Sequence, residues 1–61
     1  MSRIEVKETP HISQLIGRCI IVLPTEERRR FTEQVNDLVA SGNLTKETLR
    51  DLVDSYNIII I

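Results

Sequence analysis

ISQLIGRCIIVL, residues 12–23, is the most apolar run in a chain of 61 residues, and the fold turns on how it is read. At about 100° per residue, Ile12, Leu15, Ile16, Cys19, Ile20 and Leu23 fall on one broad helix face. Ser13, Gln14, Gly17 and Arg18 lie largely off it. That is the pattern of a core helix. The competing reading takes the β-branched run Ile20, Ile21 and Val22 as a strand; the helix is adopted because its periodic match extends further. Thr9 before Pro10 marks the start, since threonine caps free amides and proline at the first helical position sacrifices no needed donor. Pro24 disfavours helical backbone at Leu23 and ends it. The first helix is expected over residues 10–23.

Moving towards the C-terminus, Thr25 is the next cap candidate, with Glu26 and Glu27 at the positive end of the helix dipole. Phe31, Val35, Leu38 and Val39 repeat at i, i+4, i+7 and i+8, an amphipathic stripe, and Gly42 supplies a left-handed stop. The second helix is expected over residues 26–41. Leu44, a capping Thr45 and Leu49 form a hydrophobic staple. Leu49, Leu52, Val53 and Tyr56 then give the stripe of a third helix, residues 46–57. The short link makes helices two and three a hairpin with facing stripes, closed by helix one.

The two ends of the chain read as extended. In residues 3–8, Ile4 and Val6 alternate with Arg3, Glu5 and Lys7, the period of a half-buried strand. The tail, Ile58, Ile59, Ile60 and Ile61, is an aggregation hazard if left in water. These six apolar residues, Ile4, Val6 and Ile58 to Ile61, are natural pairing mates within one chain or between two. A two-stranded ribbon is marginal alone, so self-association across a homodimer is the expected arrangement. The fold class expected is all-α: a small single three-helix domain with short extended, pairing ends.

A chain this short buries only about 60% of its unfolded surface, and Cys19, the single cysteine, forms no disulfide within it. Support is therefore expected from assembly, from a partner or from unusually good helix packing. A net charge of −1 offers no cationic field for nucleic acid. Residues 1–8 mix charges and lack the apolar region of a secretory leader, and residues 12–23 fall short of the roughly 20 that cross a bilayer. No membrane association and a cytoplasmic location are expected, where a reduced thiol is ordinary.

Candidate chemistry is sparse. His11 and Cys19 on one helix are separated by about 12 Å along its axis, so they form no thiolate pair; His11 reads as a surface or capping residue and Cys19 as a core residue. Two glycines make no phosphate-binding loop, and no acidic stretch has metal-loop spacing. No catalytic residue, metal or cofactor is expected. Glu47, Asp51 and Asp54 line one side of helix three, either as a solvated face or as an acidic surface for a basic partner. Arg28, Arg29 and Arg30 spread over about 200° of helix two, which suits a solvated face better than a phosphate-binding stripe.

The expected function is that of a small non-catalytic regulatory protein that binds and modulates a larger protein, in the manner of inhibitors, antirepressors or assembly adaptors. Arg28 to Arg30 with Glu47, Asp51 and Asp54 are the expected partner contacts. The alternative is a dimeric DNA-binding regulator using helices two and three as a helix-turn-helix, or the N-terminal arm with Arg3 and Lys7. The acidic groups of helix three argue against it, because phosphates repel that face.

Overall fold

The computed structural model describes residues 3–61. It runs β1 (Ile4–Val6), α1 (Ile12–Val22), α2 (Thr25–Ala40), α3 (Lys46–Asp54) and β2 (Ile58–Ile60). The three expected helices are present, and residues 12–22 are helical through the whole β-branched run. The two extended segments pair with each other as a parallel two-stranded sheet, with Ile4 against Ile58, Glu5 against Ile59 and Val6 against Ile60. Pairing expected across a dimer is thus made inside one chain. The domain is mostly helical, with one small sheet.

Parallel strands cannot be joined by a tight turn and need a crossover; here all three helices form it. The ladder runs past the strand ends. Ile4 N–H donates to the Asn57 carbonyl at 3.0 Å, Ile61 N–H to that of Val6 at 2.9 Å, and Glu8 N–H to that of Ile61 at 2.8 Å. Side-chain alternation then sends Val6 and Ile58 into the core, where they are 4% and 1% exposed.

Helix ends differ from expectation for local reasons. α1 starts after His11, whose extended backbone (φ −107°, ψ 130°) is the N-cap. The buried Thr9 hydroxyl does not accept from a helix amide; it donates to the His11 carbonyl at 2.9 Å. Pro24, not Thr25, precedes α2 as its N-cap, and Thr25 is the first helical residue. At the far end of α2, Gly42 adopts φ 74°. Its N–H reaches the Val39 carbonyl and that of Asn43 reaches Leu38, a Schellman closure that needs a left-handed residue. Thr45 caps α3 as expected, its side chain accepting from Thr48 N–H while the Thr48 side chain accepts from Thr45 N–H. α3 stops at Asp54, three residues early. Tyr56 N–H and Asn57 N–H bond back to Val53 and Asp54, and Asn57, at φ 63°, turns the chain into β2.

One core joins all five elements: Leu15, Cys19 and Leu23 from α1 and its C-cap, Phe31 and Val35 from α2, Leu49 and Val53 from α3, with Val6 and Ile58 from the strands. α1 is the hub, packed against α2, α3 and β1. The expected facing stripes of α2 and α3 are replaced by contacts at one end. Phe31 and Tyr56 meet edge to face at 5.6 Å and 89°, and the Tyr56 hydroxyl donates to Gln34 Oε1. Val39, expected in the core, is 57% exposed, because it lies about 80° around the helix from Phe31.

The corner between α1 and α2 is held by Arg28. Its Nε donates to the Leu23 carbonyl at 2.7 Å and its Nη2 to that of Ile21 at 3.0 Å, satisfying carbonyls at the C-terminus of α1 with the positive charge that the helix dipole favours there. Arg28→Ala is expected to destabilise the fold by about 1 kcal/mol in urea unfolding. Arg29→Ala, on an exposed residue without such bonds among the described residues, is expected to leave the midpoint within error. An Asn57→Val substitution, which places a β-branched residue at positive φ, is expected to cost about 1–2 kcal/mol.

Candidate interaction surfaces

Two grooves flank the small sheet, one along each strand. The first lies between α3 and β2, has a volume of about 240 Å³, and is lined by Arg3, Arg50, Asp51 and Asp54 with Ile58, Ile59 and Ile60. Its rim is electrically balanced. Arg3 Nη1 sits 2.8 Å from Asp54 Oδ1, with both side chains about half exposed, an ion pair weakened by water on all sides. Asp51 and Arg50 extend from the same helix, and Glu47 lies one turn earlier, also exposed. The acidic set expected from the sequence is thus on one open face of α3, and two of its members border the groove.

The arginine run is divided. Arg28 is turned towards the end of α1, so this expected partner contact is engaged within the fold, although it is exposed like Arg29 and Arg30. Arg30 lies close enough to Tyr56 to act on its phenol. That phenol is held above its ordinary range by loss of hydration, with Arg30 opposing the rise and Glu27 adding to it. The cations bordering the groove beside the acidic face of α3 are Arg3 and Arg50, neither of them among the partner contacts expected from the sequence. The adjacency of Arg50 and Asp51 was the available signal; the approach of Arg3 depends on strand pairing.

The six apolar residues expected to drive self-association also divide. Val6 and Ile58 are core, Ile4 and Ile60 are half-buried against it, and Ile59 and Ile61 are 38% and 60% exposed on the outer face of the sheet.

The second groove, about 360 Å³, runs between β1 and the last turn of α1 and is lined by Glu5, Val6, Lys7, Arg18, Ile21 and Val22. Ile21 is 72% exposed, the most exposed large aliphatic side chain among the described residues, and Val22 is 38% exposed. Neither was selected from the sequence, although both fall outside the stripe from Ile12 to Leu23, and an aliphatic residue off the core stripe is the mark of an apolar surface.

Against the helix-turn-helix reading, the outward residues of α3 carry three carboxylates and two cations, and Lys46 is 3.6 Å from Glu8. Among the described residues, no group of three or more His, Cys, Asp or Glu is placed to hold a metal ion. No helix among them is long and apolar enough to cross a membrane. His11 is exposed, whereas Cys19 is wholly buried.

Burial raises the Cys19 thiol above its ordinary range by loss of hydration. The neutral thiol is favoured in the folded state, so its contribution to stability is complete below the unfolded thiol pKa and lost as pH climbs towards the raised one. The thiol is expected to resist Ellman's reagent at pH 8 until urea unfolds the chain. Stability is expected to fall above about pH 8.5, with a slope that Cys19→Ala reduces. Comparison of the chain with protein families, characterised proteins and solved structures gave no match.

Proposed function

We propose that this protein is a small, non-catalytic interaction module of the cytoplasm that binds a larger protein through the α3–β2 face and works as a homodimer. The observation that supports the partner reading most directly is the groove in which Ile58, Ile59 and Ile60 are bordered by Arg3, Arg50, Asp51 and Asp54. An apolar floor with a charged rim is the common anatomy of a protein-binding patch: the floor provides affinity when it is dried, and the rim sets orientation and encounter rate. Glu47 extends the negative side of that rim along α3. The partner that suits this face presents an aliphatic or aromatic side chain flanked by lysine or arginine.

The homodimer reading is supported by the five large aliphatic side chains Ile21, Val22, Val39, Ile59 and Ile61 left open among the described residues of a chain this small.

The test is affinity capture on the immobilised full chain with the double variant Glu47→Lys and Asp51→Lys as control. Neither residue is buried, and neither is paired in an ion bridge among the described residues, so circular dichroism should match the parent. Capture of a defined polypeptide is expected to drop about tenfold in the variant and to weaken with salt. Equal capture by both forms would overturn the assignment to this face. Binding of duplex DNA with a steep inverse dependence on salt would replace it with the helix-turn-helix alternative.

A further inference from the structure

We infer that two copies of this chain join edge to edge through β1, antiparallel and centred on Val6, to make one four-stranded sheet in the order β2-β1-β1-β2. The inference rests on the homodimer reading above and is independent of the partner reading.

The backbone of β1 supplies the first step. Ile4, Val6 and Glu8 direct their amides and carbonyls at β2: Ile4 N–H to Asn57, Val6 carbonyl from Ile61, Glu8 N–H to Ile61. Alternate residues of an extended chain point these groups in opposite directions, so those of Glu5 and Lys7 face away from β2. They form an open strand edge, the usual template for adding another strand. Each strand also packs against a helix, β1 on α1 and β2 more extensively on α3.

The second step is what borders the open edge. Ile21 and Val22, at the end of α1, share a groove with Glu5, Val6 and Lys7. A strand laid against β1 from a second copy brings a second α1 end under the extended sheet, and the paired Ile21 and Val22 side chains leave water together. A sheet of two short strands is marginal and a sheet of four is not.

Charge selects the register. Bonding through Glu5 and Lys7 permits three two-fold registers along the paired segment from Ile4 to Glu8, centred on Glu5, Val6 or Lys7. Centring on Glu5 sets Glu5 against Glu5, and centring on Lys7 sets Lys7 against Lys7. Centring on Val6 sets Glu5 of each copy opposite Lys7 of the other, twice, in hydrogen-bonded pairs on the outer face. Opposite charges in such pairs stabilise a sheet and like charges oppose it. Strand β1 is therefore complementary to its own antiparallel copy in one register.

Sedimentation equilibrium of the full chain, with circular dichroism to verify folding, tests this through a charge swap. Glu5→Lys and Lys7→Glu each place like charges opposite one another at two symmetric positions, and each is expected to raise the dimer dissociation constant about tenfold. The double swap, Glu5→Lys with Lys7→Glu, restores both pairs and is expected to recover the parent value. Ile21→Lys, at an exposed position, is expected to leave a folded monomer. If the parent chain is a monomer at every concentration, the homodimer reading and this interface fall together. If the parent dimerises but the single swaps and Ile21→Lys leave its dissociation constant unchanged, the dimer uses another surface and this interface alone is overturned. If the double swap is no better than either single one, the Val6-centred register is wrong.

Discussion

Pairing of Ile4 with Ile58 closes the molecule. It brings together positions separated by nearly the whole chain, so the loop entropy lost is large, while three parallel residue pairs return little by themselves. The balance is met by the side chains beneath. Val6 and Ile58 enter the same core as Leu15, Cys19 and Leu49, so the sheet persists only when the helices are packed, and the helices lose part of their cover when the sheet opens. A domain in which each layer depends on the other unfolds as one unit. Cutting back through Val6 or Ile58 removes core, not ornament.

That dependence explains which features could be read in advance. Local patterns sufficed for the helices. The stripe from Ile12 to Leu23 describes α1 correctly, with Leu15, Cys19 and Leu23 buried and Ile12, Ile16 and Ile20 packed at the margins. The Thr45 cap and Gly42 stop depend on bonds between near neighbours. Non-local choices were not legible. Nothing in alternating Ile4 and Val6 says whether the mate lies in the same chain, or that the strands run parallel. Arg28 looks like its two neighbours until the corner at Pro24 brings two bare carbonyls within its reach. The candidate site was legible in part: Asp51 and Asp54 do border the β2 groove, but their cationic companions are Arg3 and Arg50.

Electrostatics on this surface are distributed, not concentrated. The arginine run contributes one side chain to helix capping, Asp54 of α3 pairs with Arg3, and Lys46 of α3 pairs with Glu8 on the segment after β1. Ion pairs this exposed contribute little to stability. Their consequence is for recognition: with alternating signs along a rim, a partner is selected by pattern, and wrong partners are rejected by like-charge approach.

The isoleucine tail shows how one run serves two surfaces. In a strand, successive side chains alternate faces, so Ile58 and Ile60 go to the core while Ile59 and Ile61 go outward. A single chain accounts for the first pair alone. For a strand with one face in water, the outward positions ordinarily carry polar residues, as Glu5 and Lys7 do on β1. β2 departs from that rule beside a strand that keeps it, and the outer face of the sheet is therefore half charged and half apolar. Extending the sheet by two-fold symmetry places the charged strands at its centre and the two apolar ones at its flanks, each beside an α3 whose exposed residues include Glu47, Asp51 and Asp54. The surfaces proposed for self-association and for partner binding would then lie on opposite edges of each protomer's sheet, and occupying one does not consume the other.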